Sequence, residues 1–170
     1  MASKIPNQTR PACRQAGFTL IEILVSVTLL LLMSGLLVAG YNNFNDTQAV
    51  KQAATSVKSN LRAIRTDASF GKKPDGCETL VGYTIEFPDE STYQAVALCV
   101  VGGTQQQIGQ TQTYTLPKGM KFSPIPQSVV FYALERGASR DQILTIVGAT
   151  STATISVSTS GVVDDYISSP

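Results

Sequence analysis

Apolar residues crowd the first quarter of the chain and then settle into two different periods. From Phe18 to Gly40 the sequence reads FTLIEILVSVTLLLLMSGLLVAG, 23 residues with one charge, Glu22. A helix of that length covers roughly 34 Å at about 1.5 Å per residue, enough for a hydrocarbon core of about 30 Å. Beyond the polar stretch Tyr41-Asn42-Asn43-Phe44-Asn45-Asp46, apolar residues recur at Ala49, Val50, Ala53, Ala54, Val57, Leu61, Ile64 and Ala68. Steps of three and four mark one face of an amphipathic helix. Lys51, Lys58, Arg62 and Arg65 fall off that stripe and are expected to meet solvent. The pattern predicts one helix from Phe18 to about Thr66, roughly 74 Å long.

Gly71-Lys72-Lys73-Pro74-Asp75-Gly76 then stops the helix, and the period changes to two. Val81, Tyr83, Ile85 and Phe87 alternate with Gly82, Thr84 and Glu86, which reads as a half-buried strand. Pro88-Asp89-Glu90 turns the chain into a second strand from Ser91 to Val101, and Gly102-Gly103 ends it. Further strands are expected at Thr111–Leu116, Val129–Leu134, Gln142–Val147, Ala153–Ser158 and around Val162–Tyr166, with turns at Arg136-Gly137 and Ser160-Gly161. Helix first and antiparallel strands after is an α+β order. One antiparallel sheet is expected to lay its apolar face over the stripe from Val50 to Ile64.

Composition narrows the chemistry. The 170 residues carry 13 Lys and Arg against 12 Asp and Glu, and no His. That removes Ser-His and Cys-His nucleophile pairs, the commonest general base and most zinc sites. Asp89-Glu90 and Asp164-Asp165 offer oxygen ligands without the spacing of a calcium loop, and adjacent acids read as solvated turns. Lys72-Lys73, Lys118 with Lys121, and Arg136 with Arg140 can reach nucleic-acid phosphates only if they converge in space. Gly71-Lys72-Lys73 lacks the spacing of a phosphate loop. The Ser/Thr-rich run Thr150 to Ser160 reads as a strand. No catalytic constellation emerges, so the chain reads as a non-enzyme with no metal and no cofactor.

The N-terminus admits three readings. A secretory signal can be cut at the small residues Val38-Ala39-Gly40, and a plain anchor needs no cut at all. Neither explains Glu22 inside the apolar run. A carboxylate costs about 2.5–3.5 kcal/mol at the centre of a membrane helix and less towards its end. The string Gly17-Phe18-Thr19-Leu20-Ile21-Glu22, with a basic leader before it and an apolar helix after, resembles the type IV prepilin signature. That family includes the pilins and the pseudopilins of type II secretion. The resemblance implies cleavage after Gly17 by a prepilin peptidase and N-methylation of the new terminus at Phe18. It also implies a pilin-like fold, with a long N-terminal helix (its first half transmembrane) packed against a C-terminal antiparallel sheet. The expected organisation is a leader over 1–17, a transmembrane or filament-core helix over 18–40, its amphipathic continuation over 41–70, and an exported β-rich domain over 71–170.

Cleavage after Gly17 exposes an α-ammonium on Phe18 at the mouth of an apolar helix, and Glu22 lies one turn further on. A buried charge is tolerated when paired. Pairing Glu22 with its own terminus or a neighbour's sets the axial register of a filament, so Glu22 is assigned to assembly. The leader removes three of the 13 cations and leaves 10 against 12 acids, a mature net charge of −2, so nucleic acid is not an expected partner. Cys13 leaves with the leader; Cys77 and Cys99 remain. If the hairpin has a three-residue loop, Phe87 faces Ser91 and Cys77 comes within a residue of opposing Cys99 on each strand. A disulfide, stable outside the cytoplasm, and two buried free thiols are the alternatives, and the bridge is preferred.

Leu61 to Ala68 and Thr154 to Val163 are similar to minor pilins and H-type minor pseudopilins. Many pilins have proline 22 residues into the mature helix, where this chain has Ala39. The expected function is that of a structural subunit of a type IV pilus-like filament. The alternatives are a minor pseudopilin of a type II secretion pseudopilus, or a DNA-uptake or adhesive subunit of a competence pilus. Expected partners are the prepilin peptidase, other pilin or pseudopilin subunits, and membrane lipid before assembly. The expected location is a single-pass membrane protein with a cytoplasmic N-terminus that becomes an extracellular or periplasmic filament.

Overall fold

A computed structural model describes residues 17–134 and 137–168, the side chains of 36–40, 42, 43, 167 and 168 excepted. The leader expected over 1–17, all but Gly17, and Arg136 therefore lie outside what is described, as do the side chains at the signal-type cut, 38–40. One helix, α1, runs Leu20–Ser69. It starts two residues later than the periodicity predicts, because Thr19 caps it: the Glu22 amide donates to Thr19 Oγ1 at 3.3 Å and the Ile23 amide to the Thr19 carbonyl at 3.2 Å. It stops where Gly71 takes a φ of 63°. There the Gly71 amide donates to Ala68 O and the Lys72 amide to Asp67 O, the pairing of a Schellman cap. The chain divides into two compact units, one up to Ala39 and one from Gly40 onward.

In the first unit, every described side chain from Gly17 to Gly35 is exposed. The membrane-length span expected over 18–40 is not shown: among the described residues no helix is long and apolar enough to cross a membrane. The apolar run with described side chains ends at Gly35, which leaves out the last five residues of that expected span.

In the second unit the eight strands are β1 (Thr79–Glu86), β2 (Thr92–Val101), β3 (Thr104–Thr115), β4 (Lys121–Phe122), β5 (Val129–Tyr132), β6 (Gln142–Val147), β7 (Thr152–Val157) and β8 (Val163–Ser168). They form two four-stranded antiparallel sheets, ordered β3-β2-β1-β5 and β4-β6-β7-β8, in place of the single sheet expected. The fold is α+β. Alternation reveals which positions face inward but not which strands pair, and here β4 joins the second sheet while β5 returns to the first. β3 is twice the expected length because its Thr and Gln side chains are exposed, with Ile108 and Tyr114 half-buried, so hydropathy leaves most of it blank.

The helical stripe is the spine of the core. Val50, Ala53, Ala54, Val57, Leu61, Ile64 and Ala68 are all buried, with Ala49 packed beside them. Ile85, Tyr93, Val129 and Phe131 from the first sheet and Phe122, Leu144, Ile146, Ile155 and Val157 from the second share that cluster. Both sheets thus use the same narrow stripe, which removes more apolar surface from water than one sheet would. Gly82 is required where β1 meets β5: a Cβ there would lie 2.1 Å from the Phe131 carbonyl oxygen.

The cations off the stripe do not all meet solvent as expected. Lys58 is largely covered and bonded to Asp165, whereas Arg62 is exposed as expected while donating to the Val163 carbonyl at 2.8 Å and to Asp164 at 3.3 Å. The adjacent acids read as a solvated turn are therefore the partners of two helix cations at the start of β8, with Asp164 and Arg62 still more than half exposed. Lys72 pairs with Asp67 and Lys121 with Glu90, while Arg140 is bonded to Gln127.

Candidate functional site

The functional residues expected at the N-terminus are contiguous in the structure. Gly17 and Phe18 are exposed and lie outside regular structure, just ahead of α1. A Cβ on Gly17 would meet nothing within 4 Å, so the fold itself places no demand for glycine there. Phe18 is 77% exposed. The peptide bond between them is open to an approaching enzyme.

Glu22 sits in the first turn of α1, on the surface, and its carboxylate has no partner among the described residues. Anions are favoured near a helix N-terminus, where the unpaired amides carry partial positive charge. The other polar side chains of this stretch are satisfied internally. Ser26, Thr28 and Ser34 hydroxyls donate to the carbonyls of Glu22, Leu24 and Leu30, at 2.7, 2.8 and 2.7 Å. Those bonds leave the helix surface free of hydroxyl protons seeking partners, which suits an apolar environment. Glu22 is thus the one charge on an otherwise apolar cylinder.

Thr19 was not among the residues singled out by sequence, although the Thr-x-x-Glu spacing carries the signal of a capping box. Its hydroxyl fixes the first turn and with it the position of Glu22 relative to Phe18. Asp46 was missed as well. It lies in the polar stretch between the two apolar patterns and accepts from the Ala149 amide at 3.0 Å, and from the Thr150 amide and hydroxyl at 2.8 and 2.9 Å. Those backbone donors hold its carboxyl below the usual carboxylate range. Only its place in a polar interruption hinted at this, since its partners lie about a hundred residues away.

The cysteines form a separate structural site. Cys77 and Cys99 are disulfide-bonded, with Cα atoms 5.5 Å apart. The hairpin register differs from the one expected. Glu86 faces Gln94 rather than Phe87 facing Ser91, and a bulge at Val81 makes Cys99 face Leu80. Cys77 precedes β1, in the turn after Gly76 (φ 82°), and meets Cys99 from there. Three or more clustered metal-ligating side chains do not occur among the described residues.

Residues 13–38 match the family model of the prokaryotic N-terminal methylation motif. The chain carries that motif, which is consistent with a type IV prepilin-like family. No curated protein and no solved structure matches it. In proteins that carry it, the motif generally implies processing by a peptidase and assembly with other pilin-type subunits, and such proteins are structural subunits. The matched segment contains Gly17, Phe18, Thr19 and Glu22 and stops before the β domain, so the similarity rests on the N-terminus alone.

Proposed function

We propose that the chain is a structural subunit of a type IV pilus-like filament. In this reading it is cut after Gly17, N-methylated at Phe18, held in the membrane by its apolar helix and then assembled through that helix. One observation carries the reading: a helix whose described side chains from Leu20 to Gly35 are all exposed and mostly apolar, with Glu22 the one charge among them. Ile21, Leu24, Leu31 and Met33 each stand more than half exposed. Apolar surface on every side has to be covered, by lipid at one stage and by other copies at another. Glu22 then pairs with the α-ammonium of Phe18, its own or a neighbour's, because an unpaired charge in that surround is costly.

Mass spectrometry of the mature protein tests the processing. A methylated Phe18 at the terminus is expected, and a terminus at Tyr41 overturns the reading. In cells, Glu22→Ala is expected to be cleaved normally and lost from filaments; wild-type incorporation would remove Glu22 from the assembly step.

A further inference from the structure

Beside the disulfide, an open cavity of about 500 Å³ lies between the turn that follows α1 and the middle of β3. Its size falls within the usual range of small-ligand sites, about 300–1,000 Å³. Both walls are fixed. On one side the Lys72 carbonyl accepts from the Tyr83 hydroxyl at 2.8 Å, and the Pro74 carbonyl accepts from the amide of disulfide-bonded Cys77 at 3.2 Å. On the other side Ala95 faces Gln112 and Ala97 faces Ile108, so Gly109, Gln110 and Thr111 bulge out opposite Val96 alone. Bulges of this kind re-aim side chains. Gly109, at a φ of 92°, lets the walls touch: a Cβ there would lie 2.8 Å from Pro74 Cβ.

The chemistry of the lining is that of a neutral, hydroxyl-rich ligand. The two ammonium groups at the rim are occupied, Lys72 by Asp67 at 3.3 Å and Lys73 by the Glu78 carbonyl at 3.2 Å. Lys72 and Lys73 are balanced by Asp67 and Asp75, so the site has no net charge with which to select an ion. Asp75 and Gln110 have no side-chain partner among the described residues. They present a strong acceptor and an amide that both donates and accepts. Pro74, Tyr83 and Ile108 supply the apolar part of the lining.

We propose that this cavity binds a neutral saccharide. Its hydroxyls bond to Asp75 and Gln110 while its C–H faces pack on Tyr83 and Ile108. A free anion gains no net attraction where both lysines are already occupied, and a purely apolar ligand would bury Asp75 and Gln110 with nothing to bond. The inference stands apart from filament assembly, since no residue of the first unit takes part. The test uses the full chain in micelles of a sugar-free detergent, titrated calorimetrically with maltotriose and with chitotriose. Saturable binding of at least one is expected, weakened about tenfold or more by Asp75→Ala and by Gln110→Ala and unchanged by Arg65→Ala. Circular dichroism confirms that the exposed substitutions leave the fold intact. Three results overturn the proposal: no saturable binding of either sugar, binding unaltered in both variants, or binding of sialyllactose or sulfate alone.

Discussion

Asp46 shows what one side chain does for this fold. Three hydrogen bonds join it to residues 149 and 150, between β6 and β7, and so bind the start of the helical stripe to the second sheet. Asp46→Ala is expected to cost about 1 kcal/mol in urea unfolding, a modest figure for bonds to a charged group because the site is open to water. Its folded-state acidity is raised by those donors, and that of Asp165 by Lys58. A carboxyl whose pKa is depressed by folding adds stability above its unfolded value, and that stability is lost as the pH falls through the folded one. Unfolding followed from pH 6 downward should therefore show stability holding to about pH 4 and falling below it. The gap between wild type and Asp46→Ala should close over the same interval.

At the scale of elements, the helix and the strands differ in how openly they announce themselves. The stripe from Ala49 to Ala68 is written in the sequence at helical spacing, and the cap at Gly71 is written as a turn. Leu61, 1% exposed at the centre of the stripe, is expected to cost about 2–5 kcal/mol when cut to alanine. Two glycines of similar appearance in the sequence should behave oppositely. Gly82→Ala drives a methyl into the Phe131 carbonyl and should part β1 from β5, with a loss of about 3 kcal/mol, the upper end of overpacking costs, by thermal unfolding. Gly35→Ala meets nothing and should raise helix stability by up to about 1 kcal/mol. The strands whose inner residues are apolar were legible in outline. β3 was legible only at its end, because a polar edge strand has no hydrophobic alternation to display, and β4 was too short to register.

At the scale of the molecule, the disulfide closes a loop with a sequence separation of 22 across the β1–β2 hairpin. Its loss, by Cys77→Ser with Cys99→Ser, should lower stability by about 3 kcal/mol in chain-entropy terms. Thermal unfolding with and without reductant measures it, and reductant should leave the double variant unchanged. The cysteine pairing was reached in the sequence through the wrong register. The true hairpin is displaced, and the bulge at Val81 and the turn at Gly76 bring the two sulfurs together by a route that residue counting does not contain.

Taken alone, the sequence determined the features that depend on neighbours along the chain. These are Glu22 one turn into an apolar helix, the amphipathic stripe and its cap, and the succession of strands that makes the chain α+β. Each rests on a period or a motif a few residues wide, which local sterics and solvation read directly. Tertiary structure alone decided the rest: two sheets in place of one, β5 beside β1, Lys58 and Arg62 turned to Asp165 and Asp164, and Asp46 bound to a loop a hundred residues on. Those outcomes depend on which distant surfaces cover one another. That is settled by the total apolar area buried and the polar groups left bonded, and neither quantity is a property of any short stretch of chain.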